Sequence, residues 1–410
     1  GARVLSGLFG GAAAALLGAW HLQTGRAGLI VTPDRESAFQ LADDLETWIG
    51  PGSAIYLPQQ EVLAFDHNSP EPSLVGDFMQ GLHRLRGEEA PLVVTSLASV
   101  RQRLIAPGTL DRVTIRLRCG DRLDMDDLGA ALGRLGYRPA GMVAKVGDFA
   151  RRGGLMDIFT PGDQPLRVEF FDDEIVSVRR FDVESQRTTE RGEEAAVLPV
   201  SHLHVDDEAV LSCLARVEAE MLAGSARDDD LLEDLQARLE DRIADTGLET
   251  YLPWLGPTAL LGDYLPEHLT VFWMDPVRLA DQSELMDTEL PRLRAGRLDR
   301  EPFLPASAEL MEPAARLARP GHSHVFVTGS WIAGDEQARW LGLEPTPAIA
   351  FGTTEQQLRG GDVRRLLDDL RAREAAGETV FLLCDNKGQA DRLAELLEEA
   401  DTRPPATRPR

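Results

Sequence analysis

Short apolar runs alternate with amphipathic stretches from the start of the chain to about Asp111. Gly28–Thr32 (GLIVT), residues 92–95 (LVVT) and residues 54–57 read as buried strands, because each is a brief apolar run bounded by turn formers. Residues 10–22 are rich in alanine and predict a helix. Residues 36–49 predict an amphipathic helix whose apolar face carries Phe39, Ala42, Leu45 and Ile49, and residues 78–86 predict another. Strands alternating with helices of this length predict a parallel sheet with crossover helices.

Beyond Asp111 the period changes. Residues 113–117 (VTIRL) alternate by two, residues 125–135 predict a short helix, and glycine-punctuated strands are expected at 141–146, 154–159, Leu166–Phe171 and 175–181. Asp172-Asp173-Glu174 suits a tight hairpin between the last two. Residues 209–248 return to helix, with Leu211, Leu214, Leu231, Leu232, Leu235 and Leu239 set around an acidic patch at 228–230. Strands follow at Thr270–Met274 and 324–328, with a helix at 276–289 between them. The expected fold class is therefore α/β: a parallel-sheet domain assembled from residues 1–117 and 206–345, interrupted by an antiparallel-rich α+β insert at 118–205. A helix at 362–376, a strand at 379–383 and a helix at 390–399 predict the start of a further α/β unit over 346–410, ending in a proline-rich linker or truncation point.

Charge narrows the possible functions. Lys+Arg number 43 against 68 Asp+Glu, a net charge of −25, which argues against a surface that coats DNA, since phosphate binding needs clustered positive charge. Of the basic residues only Lys145 and Lys387 are lysines. No apolar run reaches the ~18 residues of a membrane helix, so no membrane partner is expected. Cys119, Cys213 and Cys384 lie far apart without a CxxC pair, which disfavours a zinc site or a disulfide framework and fits a reducing, cytoplasmic location.

Gly7-Leu8-Phe9-Gly10-Gly11-Ala12-Ala13-Ala14 precedes a helix where a phosphate loop would read GxxxxGK[ST]. Gly7 and Gly10 remain, but Ala12, Ala13 and Ala14 fill the Gly-Lys-Thr places, and neither lysine of the chain lies in a glycine-rich loop before a helix. The backbone amides retain at most weak anion binding; hydrolysis is not expected, and a Gly/Ala-rich helix start packed on a sheet is the better reading. The strand 270–274 ends in Asp275-Pro276, a single acid that suits a helix cap rather than a metal-holding acidic pair. His202-x-His204 and His322-x-His324 have strand spacing but no carboxylate or cysteine partner, so surface histidines and no metal site are expected.

In the insert, alternation puts Leu166, Val168 and Phe170 on one face and Arg167, Glu169 and Phe171 on the other. Arginine beside a large aromatic ring on an exposed face is the chemistry of a protein interface. Residues 145–192 hold 8 basic and 10 acidic side chains, however, and spacing alone slightly favours a solvated face with internal Arg–Glu pairs worth ~0–1 kcal/mol each.

Longer motifs carry a resemblance. Pro58-x-x-Glu61-x-Leu63-x-x-Asp66-x-x-Ser69-Pro70, Arg84-Leu85 and residues 93–97 resemble the opening part of the bacterial transcription-repair coupling factors, Mfd. Residues 147–159, 167–174 and 180–187 resemble the UvrB-like second domain of that family, and Tyr251-Leu252-Pro253 with Asp263-Tyr264-Leu265-Pro266 continue the likeness over most of 1–345. The resemblance implies a degenerate, UvrB-like region that recruits UvrA, with the UvrA-contacting residues falling on Arg152, Arg167 and Phe171. It implies also that RNA polymerase, double-stranded DNA, ATP and Mg are handled by other parts of a parent protein, leaving these residues without a cofactor or a catalytic group. The expected function is a non-catalytic, UvrA-recruiting module that links stalled transcription to nucleotide excision repair. The alternative, an active UvrB-like ATP-dependent helicase on damaged DNA, needs the lysine and the acidic pair that are missing.

Overall fold

The computed structural model describes residues 1–60, 64–66, 68–162, 164–223, 229–240, 247–298, 301–331, 340–353, 363–378, 380, 382 and 387–402. Its largest sheet has seven parallel strands in the order Ile349–Ala350, Ala2–Ser6, Ser323–Val327, Thr270–Met274, Gly28–Thr32, Leu92–Ser96, Ile55–Tyr56. Stretches far apart in sequence thus interleave: Ala2 stands beside His324, and Thr270 beside both Ser323 and Gly28. All residues of Gly28–Thr32 and Leu92–Ser96 are buried, as befits strands covered on both faces. Ile349–Ala350 carries the sheet past residue 345.

Caps and apolar periodicity together fix the helices. Asp34 Oδ1 accepts the Ser37 amide at 2.8 Å and starts Arg35–Ile49, which buries Ala38, Leu41, Ala42 and Leu45. Phe39, expected on that apolar face, is instead exposed and meets Tyr56 edge-on at 5.8 Å, because the buried stripe lies one residue away from it. The helix expected from residue 78 begins at Pro72, where a missing amide costs nothing, and runs to Leu85 with Val75, Phe78, Met79 and Leu82 inward. The strand expected at 54–57 shortens to Ile55–Tyr56 at the sheet edge.

The insert forms a six-stranded sheet in the order Thr188–Gly192, Glu174–Phe181, Leu166–Phe171, Leu155–Ile158, Asp148–Arg152, Arg138–Pro139, antiparallel except for the last pair. Residues 141–146 are not the expected strand. The Asp148 carboxylate accepts the amides of Ala144 and Lys145, both at 3.0 Å, and this turn delays the strand to Asp148. Two strands unforeseen in the sequence, Thr188–Gly192 and Glu194–Val197, extend the insert; the second pairs with Ile115–Arg118. The inward residues Leu166, Val168 and Phe170 join one core with Phe78 and Leu82 of the first segment. At the contact, a β-carbon on Gly76 would lie 2.7 Å from the Pro161 ring, so only glycine permits this approach.

A second core gathers Cys213, Val217 and Met221 of Asp207–Ala223 with Leu235 and Leu239 of Asp229–Glu240 and with Trp254. The remainder of the expected 209–248 helix, at 224–228 and 241–246, lies outside the described residues. The helix expected at 276–289 runs on as Pro276–Leu298. Two buried arginines tie the segments together. Arg101 donates to the carbonyls of Glu312 and Ser283 at 2.9 and 3.2 Å, to Ser283 Oγ at 3.0 Å, and to Asp287. Arg297 reaches the Asp66 and Gly247 carbonyls, both at 3.0 Å, Thr250 Oγ1 at 2.7 Å and Glu301. Near the end, Val363–Ala375 and Lys387–Thr402 pack on one another, and most of the expected 379–383 strand lies outside the described residues. Among the described residues no helix is long and apolar enough to cross a membrane.

Candidate partner-docking face

Two places attract attention from the sequence, the loop after Ala2–Ser6 and the outward face of the insert sheet. The loop turns through Gly7 and Gly10, at φ of 75° and 55°. The Gly7 and Leu8 amides donate to the carbonyls of Gly329 and Thr328 at 3.2 and 3.3 Å, and Phe9 donates to Thr353 Oγ1 at 3.0 Å. Thr353 in turn donates to the Gly7 carbonyl, and the Phe351 amide to Ser6 at 2.8 Å. The segment following Ile349–Ala350 is therefore strapped to the loop. Ala12, Ala13 and Ala14 open the helix Ala12–Thr24, with Ala13 and Ala14 in the core beside Leu17. The adjoining cleft, about 710 Å³, takes in Gly10, Gly11, Asp44, Asp275 and Arg278. Arg278 is paired with Asp34 at 2.5 Å, and Asp275 Oδ1 accepts the Arg278 amide at 3.4 Å, a helix-starting role as expected.

Two of the four histidines expected at the surface, His202 and His324, are buried, while His204 and His322 are partly exposed. His202 is 2% exposed, packs edge-on against Phe78 at 5.9 Å, and has no hydrogen-bond partner at either ring nitrogen; burial lowers its pKa to about 4. His324 is buried too, within hydrogen-bonding distance of Trp273 Nε1 at 3.3 Å. Among the described residues no cluster of His, Cys, Asp and Glu could hold a metal.

The insert face is set by strand register. Leu166–Phe171 runs between Leu155–Ile158 and Glu174–Phe181, which puts Arg167 beside Asp157 on one side and Arg179 on the other. Glu169 lies between Leu155 and Ser177, and Leu155 in turn faces Arg152. The hairpin joining the Arg152 and Leu155 strands turns at Gly153, φ 58°, and the next turns at Asp172, φ 61°. A β-carbon at Gly154 would come within 2.8 Å of the Phe170 carbonyl, so the tip of the first hairpin fits tightly against the strand that carries Phe171.

At the end of that strand Phe171 is 75% exposed, and Val176 on the neighbouring strand and Met142 in the loop before Asp148–Arg152 are about half exposed. Arg152 is exposed and spends one Nη2 bond on the Gly141 carbonyl at 3.1 Å. Arg167 is held quite differently. Its Nε and Nη2 grip both Asp157 oxygens at 2.7 and 2.8 Å, Nη2 also meets Gln186 Oε1 at 2.9 Å, and the guanidinium stacks 4.1 Å above the Phe181 ring. The bond to Asp157 keeps the Arg167 pKa above its ordinary value. Alternation correctly separates the two faces, but the residues that capture Arg167 were not foreseen. The one legible signal was Asp157 itself, a lone carboxylate between Met156 and Ile158 with the parity of the outward face.

Residues 115–203, which contain this whole face, match the family described as the UvrB interaction domain. Along its greater length the chain is similar to transcription-repair coupling factors: 28% identical over 401 residues to that of Myxococcus xanthus, 91% of this chain and 32% of the relative. It is 30% identical over 410 residues to that of Mycobacterium bovis, 91% and 31% respectively, and 31% identical over 209 residues to that of Escherichia coli strain K12, 51% and 18%. The resemblance drawn from the motifs thus holds over most of the chain, which spans about a third of the length of the first two relatives.

Proposed function

We propose that this chain is a non-catalytic, UvrB-like adaptor that docks UvrA on the outward face of its insert sheet. In this reading it is the recruiting portion of a transcription-repair coupling factor, joining a stalled RNA polymerase to nucleotide excision repair. RNA polymerase binding and ATP- and Mg-dependent movement on double-stranded DNA belong to other parts of the parent. The observation that carries the reading is Phe171: a large apolar ring three-quarters exposed, on a rigid strand, inside the stretch that matches the UvrB interaction domain. Exposed rings of this kind on a face that also carries an exposed arginine, here Arg152, are where interface energy concentrates. The helix start built from Ala12, Ala13 and Ala14 supports an adaptor over an ATPase, because no side chain there can hold phosphate or magnesium.

The test is titration calorimetry of the chain against purified UvrA. Phe171→Ala is expected to weaken binding about 30-fold, the roughly 2 kcal/mol of an interface anchor, with the melting temperature nearly unchanged because the residue is three-quarters exposed and little of it is buried in the chain. Affinity equal to that of the parent chain would remove the support for this face.

A further inference from the structure

Far from the insert's outward face, two buried polar side chains have nothing to bond. Gln60 is 5% exposed and His202 2%. Among the described residues neither end of the Gln60 carboxamide and neither ring nitrogen of His202 has a hydrogen-bond partner. Buried polar groups are nearly always paired, and an unmet one is costly, so four such atoms call for a partner of their own. Both side chains line one small cavity of about 50 Å³. It lies where separate stretches of the chain meet: Gln60, Ala98 and Arg103 of the first segment, His202 at the return of the insert, then Thr250 and Met311.

The charged groups around the cavity are engaged elsewhere. Arg103 is paired with Glu312, the Asp66 carboxylate accepts from Asn68 at 3.2 Å, and Glu249 Oε2 accepts the Ser69 hydroxyl at 2.9 Å. That leaves Gln60 and His202, whose burial keeps the ring neutral, as the groups in need. A neutral imidazole offers one donor and one acceptor, and a carboxamide offers both kinds. Their common partner must therefore both donate and accept, carry no charge and be small. Water meets all three conditions. One water needs about 10–15 Å³ and makes two to four hydrogen bonds, so the cavity has room for more than one.

We propose that this cavity is an internal hydration site, in which ordered waters bridge Gln60 to His202 and so join the return of the insert to the segment that follows Ile55–Tyr56. The proposal is independent of the docking reading.

The test is nuclear magnetic resonance of the full chain labelled at histidine and glutamine. Cross-relaxation with water is read at the carbon-bound ring protons of His202 and the Gln60 γ-protons, which do not exchange with solvent. Negative cross-peaks to water at both side chains are expected, the sign of waters held for longer than a nanosecond. Their absence at either side chain overturns the bridge. Xenon gives an independent reading, because a dry apolar cavity takes it up and a hydrated polar one does not. The parent chain is expected to show no saturable xenon-induced shift at His202 or Gln60, and such a shift would overturn the proposal. Gln60→Leu, with folding checked by circular dichroism, is expected to reduce the His202 cross-peaks at least threefold; unaltered peaks count against the bridge. Should that variant unfold, the two measurements on the parent chain decide.

Discussion

The ring of Phe9 lies against Gly329 so closely that a β-carbon there would sit 2.4 Å from the ring edge. The contact pins the loop at Gly7 and Gly10 to the end of Ser323–Val327, in addition to the Thr353 strap. The place where a phosphate loop would work is thus built as packing, with an aromatic ring and a hydroxyl from the chain itself holding the backbone.

Returning the missing side chains is for that reason not expected to return nucleotide binding. A chain carrying Ala12→Gly, Ala13→Lys and Ala14→Thr together should bind no ATP in equilibrium dialysis, and should be less stable, since positions 13 and 14 lie in the core and a lysine there is buried without a partner. Saturable ATP binding by that variant would show that the loop is held less firmly than its bonds indicate.

Arg101 offers a test of how the segments cohere. Arg101→Ala leaves the buried Ser283 hydroxyl and the Glu312 carbonyl without this donor, while the exposed Asp287 carboxylate is solvated, so urea unfolding is expected to show a loss of about 1–3 kcal/mol. Arg118→Ala, which removes an exposed pair with Glu194, should leave the unfolding midpoint where it was.

His202 sets a pH dependence. Burial lowers its pKa from 6.5 to about 4, so the folded chain keeps the ring neutral while the unfolded chain takes up a proton. Its contribution to stability is complete above pH 6.5 and declines as the pH falls toward 4, by up to about 3 kcal/mol. Asp206 and Asp263, whose pKa values lie below the usual carboxylate range, add a loss of the same direction at lower pH. His202→Phe should flatten the urea-unfolding free energy between pH 6.5 and 4; an unchanged slope would assign the dependence elsewhere.

The legible parts of this molecule were those governed by local periodicity. Gly28–Thr32, Leu166–Phe171 and Thr270–Met274 stand where their apolar runs put them, and the inward set Leu166, Val168 and Phe170 followed from a period of two. The errors arose where a distant or polar partner decides the outcome. Met142 and Val143 suggested a strand, but the Asp148 carboxylate folds that stretch into a turn. The burial of His202 depends on Phe78, and the capture of Arg167 on a register with Asp157 that no single strand encodes. The buried arginines Arg101 and Arg297 were illegible for the same cause, since their acceptors are mainly carbonyls far along the chain.

One property of the large sheet bears on how the molecule comes to exist. Ala2–Ser6 has its neighbours at Ser323–Val327 and Ile349–Ala350, so during translation at ~5–20 residues per second it waits on the order of tens of seconds for either edge to be taken. The insert strands meanwhile pair with close successors and can close early. A nascent chain of this design therefore closes its insert sheet while Ala2–Ser6, second from one edge of the large sheet, is still unclaimed, and a chaperone holding that apolar stretch would raise the yield.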